Sequence, residues 1–277
     1  MPLTLPSHPG LVAPLTLIDR GRLDGVALLV GATAPDLPYA WSRSGWPGAF
    51  DGHTIPAIVL FAAPAAVALA VVFRRWVARP LAVHLPDAGP CRLRDVAFAA
   101  GDRYRWWWTY LCGLLGAAAH LLFDGFTHPE PWAVDLVGRA LDRRVDPPLL
   151  GPHRLHGVLY MALSALGAVL AVACVAYAGR RRARAGVPRP VLPAATGASW
   201  WALLLPLELG VLVGLLAANA AWGAETVAGA LMLALWATGA GLIVGCAAAG
   251  RALGLRPGDP GMPAVSPPRP ARRAQPL

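Results

Sequence analysis

Charge is what this 277-residue sequence has least of. Only 14% of its residues are charged, against roughly 25% in soluble globular domains, and lysine is absent, so all 24 basic residues are arginine. That shortage excludes a well-wetted soluble globule. Cysteine is also sparse: Cys91, Cys112, Cys174 and Cys246 form no CxxC pair, which excludes a zinc ribbon and leaves them as small packing residues. The opening MPLTLPSHPG lacks the basic start and compact apolar core of a leader peptide. Insertion is therefore expected to be directed by internal helices, with the start of the chain retained. No internal repeat is visible, so sequence symmetry gives no sign of an inverted-repeat transporter. The arginine-only basic set reads as coding bias and carries no functional weight.

Apolar residues are abundant instead, at 56%. About 20 of them in a row cross a hydrocarbon core ~30 Å thick, and five such windows stand out: 55 to 73, 106 to 124, 157 to 178, 199 to 222 and 226 to 249. A shorter run, Leu23 to Pro35, follows Asp19, Arg20 and Arg22 and reads as a re-entrant or interfacial helix. The expected fold is an all-α polytopic membrane bundle of five spans plus that short N-terminal helix. It forms one domain over residues 1 to 250, followed by a disordered Pro- and Arg-rich tail from 251 to 277.

The arginines cluster at the ends of the apolar runs, so the formal net charge of +9 speaks for membrane orientation and against nucleic acid as a partner. Counted by alternate loops, 17 arginines fall on one side and seven on the other. The positive-inside rule then predicts an inner-membrane protein with a cytoplasmic C-terminus and the segment before the first span outside. Trp76, the Trp106 to Trp108 cluster, Trp200, Trp201 and Trp222 fall near span ends, as interfacial anchors do.

With that topology, six of the seven histidines lie on the outer side, His84 being the exception. His8, Asp36, His53, His120, Asp124 and His156 deliver imidazoles and carboxylates to one membrane interface. His120 and Asp124 are four residues apart and share a helix face, a spacing that lets two side chains hold one ion. His128 extends that face if Gly125 does not end the helix. A divalent cation, zinc by the donor types, would offset the cost of placing these groups together. The plainer reading is a set of interfacial polar residues wetted by water.

Taken in order, MPLTLPSHPG with LVAPL, GATAPDLPY, GHT before a long apolar run and GAAAHLLFDGFTHP resemble the bacterial membrane proteins grouped as domain of unknown function 4184, over about residues 1 to 180. That family is distantly similar to inner-membrane metal-dependent hydrolases. The resemblance implies His8, Asp36, His53, His120 and Asp124 as metal ligands. His156 is a looser match, because LHGVL stands where the family has a Gln-His-Gly-Ser-Ser-like motif.

A zinc-like centre on the outer face implies hydrolysis of a phosphoester or lipid-like substrate. Arg43, Arg139 and Arg154 are candidates to receive a phosphate. Two other classes stand beside this one. Glu208, an acid within the fourth span, suggests a transporter, while Gly210 with Gly214 and Gly241 with Gly245 suit a membrane scaffold or assembly factor.

Overall fold

The computed structural model describes residues 4–18, 22–38, 50–87, 89–128, 138–147, 151–220 and 227–258. The described chain is almost wholly helical: α1 Thr4–Ile18, α2 Gly25–Gly31, α3 from Ile55 to His84, α4 Trp106–Thr127, α5 Leu155–Arg184, α6 Gly197–Ala220 and α7 Val227–Ala252. Among these residues five helices, α3 to α7, are long and apolar enough to cross a membrane. The chain is a multi-pass membrane protein.

Helix α3 is longer than its apolar window. It runs 30 residues, past the expected end at residue 73 and through Arg74, Arg75 and Arg79. Pro64 and Pro80 lie within it, and each would clash with the carbonyl four residues earlier. The backbone answers by widening into π turns at Ile58–Ala62 and Phe73–Val77, which contain Leu60 and Trp76, the two residues at those positions. Thr54 caps the start, its hydroxyl accepting the Ala57 amide at 3.3 Å.

Two features depart from the sequence reading. Residues 4 to 18 form a helix despite Pro9 and Pro14, held along α5 at a crossing so close that a Cβ on Gly10 would stand 1.9 Å from the Gly167 carbonyl oxygen. The short segment expected at Leu23 to Pro35 is α2 followed by a 3₁₀ turn at Ala34–Asp36, and α1 packs beside it. Together they form a hairpin whose bend reaches the arginine-rich end of the bundle. There the Trp108 indole donates to the Arg22 carbonyl at 2.8 Å and Tyr104 donates to Leu23 at 3.0 Å. Arg22 thus belongs with the arginine-rich loops and not, as counted, with the opposite side. The correction sharpens the charge asymmetry.

Asp24 anchors the bend. Its side chain is 0% exposed and accepts from the Ala27 amide at 3.0 Å, the Thr109 hydroxyl at 2.8 Å and the Arg74 guanidinium. One carboxylate thereby caps α2 and ties it to α3 and α4. The core between these helices is built mostly of small residues: Ala27, Ala70 and Cys112 nearest the bend, then Ala34, Ala62 and Ala117 with the larger Ile58. Small side chains bring α2 against α4 closely enough for backbone atoms to serve the site.

Helices α6 and α7 pair tightly with each other. A Cβ on Gly210 would lie 2.3 Å from the Ala237 carbonyl, and one on Gly241 2.4 Å from that of Pro206. The small-xxx-small pairs are therefore spent on packing within the chain. A short antiparallel ladder pairs Arg144–Val145 with His153–Arg154. The expected tail lies outside the described residues from 259 onward.

Candidate functional site

Three elements meet at the end of the bundle away from the arginine-rich loops. His53 comes from the turn before α3, Asp36 from the 3₁₀ turn after α2, and His120 and Asp124 from successive turns of α4. The turn carrying His53 lies against the Asp36 segment, and Gly52 makes this possible: a Cβ there would stand 2.1 Å from the Pro35 carbonyl oxygen. That contact gives the glycine of the GHT motif a physical reason.

The donor atoms converge. His53 Nε2 lies 3.2 Å from His120 Nε2, 3.3 Å from Asp36 Oδ1 and 3.2 Å from Asp124 Oδ2. His120 Nε2 lies 3.5 Å from Asp36 Oδ1 and 3.1 Å from Asp124 Oδ2. All four ligand atoms fall within 4.8 Å of one another. A tetrahedron with bonds of ~2.0–2.1 Å to its centre has edges of ~3.3 Å, so five of the six edges here already have the lengths an ion-binding tetrahedron requires.

The surroundings fix the ligand atoms in place. His120 is 0% exposed, and its Nδ1–H donates to the Ala32 carbonyl at 2.8 Å. A carbonyl only accepts, so in the neutral ring the lone pair is on Nε2, facing the other donors. Asp51 accepts the His53 amide at 2.8 Å, and its Oδ1 lies 3.4 Å from Nδ1 of that ring. Asp36 Oδ2 is buried and has no hydrogen-bond partner among the described residues.

Burial alone would discourage a charge on His53, but the Asp124 and Asp36 carboxylates bonded to it dominate and push its pKa up to about 9. Burial would likewise raise Asp36, yet His120 and His53 hold it well below the usual carboxylate range. His8 behaves oppositely: burial lowers its pKa despite Asp124 beside it.

His8 adjoins the set without joining the converging four. Its Nε2 sits 3.4 Å from the second Asp124 oxygen, and its ring centroid is 4.1 Å from that of His120. His128, just past the end of α4, reaches the same oxygen at 3.5 Å. His156 goes elsewhere, 3.9 Å from Asp142, which is also bonded by Arg154 at 2.8 Å. Arg43 and the side chain of Arg139 lie outside what the structure describes. Glu208 is exposed on α6. Asp51 escaped the sequence reading, although its place two residues before His53, in DGHT, was the available signal.

No curated protein and no solved structure matches the chain. The family model described as "Domain of unknown function (DUF4184)" matches residues 1–250, and the chain belongs to that family.

Proposed function

We propose that this protein is a membrane-embedded, metal-dependent phosphoester hydrolase, with Asp36, His53, His120 and Asp124 holding a divalent cation, zinc by its preference for nitrogen and oxygen donors in a tetrahedron. The observation that carries the reading is the convergence of two imidazole nitrogens and two carboxylate oxygens at tetrahedral edge lengths. A cation there supplies Lewis acidity at a phosphoryl oxygen and eases ionisation of water.

The chain's own groups do the rest. Hydrolysis joins the water oxygen to phosphorus and breaks the P–O bond to the alcohol, whose oxygen keeps the electron pair. The water proton passes to that oxygen by way of His8, which lies against both Asp124 and His120. The site opens on the outer face of the inner membrane, and the C-terminus is cytoplasmic, in keeping with the arginine asymmetry.

Metal content tests the proposal. Detergent-purified protein should carry stoichiometric zinc or manganese by mass spectrometry and cleave bis(4-nitrophenyl) phosphate. A folded His120→Ala, Asp124→Ala double variant should lose both. Metal-free wild type that stays empty after reconstitution would sink the reading.

A further inference from the structure

The α6–α7 hairpin meets α3 unevenly. Its packing is concentrated towards the arginine-rich end, where Val77, Leu203, Cys246 and Ala249 form a buried cluster joined by Phe73 and Leu81. Towards the four-residue centre α3 and α7 enclose a cleft of ≈ 220 Å³ instead, with Leu69 on one wall and Trp236, Gly239, Ala240 and Ile243 on the other. Among the described residues, its one charged lining residue is Asp36. That side chain turns Oδ1 towards the two imidazoles while Oδ2 remains buried without a hydrogen-bond partner among the described residues.

The cleft's chemistry selects its occupant. The residues it takes from α3 and α7 lie in membrane-spanning segments, so its mouth faces hydrocarbon. Water inside would find almost no polar partners. A helix about 10 Å across needs several times the volume, which removes a partner's span as occupant. From Leu235 to Ile243 the α7 wall extends about 12 Å, long and narrow, as a hydrocarbon chain requires.

We propose that the cleft takes the hydrocarbon chain of an amphiphilic phosphoester whose head lies at the four-residue centre, making the substrate class a single-chain or chain-bearing lipid phosphoester. This inference rests on the phosphoesterase reading and narrows it. Gly239 offers the means of testing it: nothing stands within 4 Å of where its Cβ would be, so Gly239→Phe places a ring in the cleft without displacing backbone.

The experiment uses the full chain, metal-loaded, in phosphatidylcholine nanodiscs. Methyl, octyl and hexadecyl 4-nitrophenyl phosphate diesters share one scissile bond and differ only in chain, and a hexadecyl phosphate with a mid-chain diazirine reports binding without turnover. Cross-links should map to the peptide containing Leu235–Ile243. Gly239→Phe, with wild-type metal content and thermal stability, should lower both cross-linking and hexadecyl kcat/KM about tenfold while leaving the methyl ester unchanged. Ala240→Leu, on an exposed position of the same wall, serves if the first variant is unstable. Metal-dependent hydrolysis that neither variant alters at any chain length, with no cross-links in α7, overturns the chain slot and leaves the phosphoesterase reading standing. Cross-links that the variants block, with no diester hydrolysed, establish the slot and overturn the phosphoesterase reading instead.

Discussion

At the scale of single residues, the proposed metal chemistry turns on competition between a proton and an ion for the same imidazole. With its pKa raised to about 9 from 6.5, His53 in the metal-free protein stabilises the fold fully below about 6.5, and that contribution is lost as pH rises through about 9. A cation needs the deprotonated ring, so its affinity runs the other way. Thermal unfolding of apo protein should therefore shift down between pH 6.5 and 9, while the shift produced by chelator-buffered zinc grows across the same window. Parallel curves would contradict the assignment of His53 as a ligand. Asp51→Asn should keep the fold and weaken metal binding by about 10- to 100-fold, because it removes the carboxylate charge beside Nδ1 of the proposed ligand His53. An unchanged affinity would make Asp51 a bystander. At the other end, Asp24→Asn leaves the Arg74 guanidinium without its carboxylate and should cost about 3–5 kcal/mol, read as a lowered unfolding temperature with metal stoichiometry retained in the surviving folded fraction.

Individual helices show which signals a sequence carries and which it does not. The five spans were legible because a hydrocarbon solvent demands long apolar runs, and the first window lost its last turns only because Arg74, Arg75 and Arg79 interrupt the apolarity without interrupting the helix. His120 and Asp124 were legible through their four-residue spacing. By contrast, α1 was hidden: Pro9 and Pro14 argue against a helix locally, and its justification, the groove at Gly167, lies far along the chain. Asp36 and His53 had only their side of the membrane in common, and their convergence depends on the contact of Gly52 with Pro35. Overfilling the α1–α5 crossing should expose this dependence. Gly167→Val puts side-chain atoms where the Ser7 backbone stands, 2.3 Å from the missing Cβ, and should cost about 1–3 kcal/mol or more. Intrinsic protection of the α1 amides, followed by hydrogen exchange, should fall before that of α3 or α4. Equal protection throughout would mean that α1 docks independently of this groove.

For the molecule as a whole, the hairpin of α1 and α2 changes how its two faces are drawn. Cysteines introduced in place of Arg22 and Arg184 should react with an impermeant maleimide from one side of the membrane, and one in place of Asp51 from the other, in a Cys91→Ser background. Labelling of positions 22 and 51 from the same side would break the hairpin assignment. The same architecture sets a timetable for biogenesis. Gly10 rests on Gly167, a partner that the ribosome adds 157 residues later, so α1 cannot reach its place before α5 is made. Until α5 is made, α1 lacks the groove that holds it, and the proton path of the proposed reaction is closed only afterwards. A nascent chain halted before residue 155 already holds the four proposed ion ligands yet lacks the groove against which α1 seats His8, so the proposed ion site and the proposed proton path are completed at separate times.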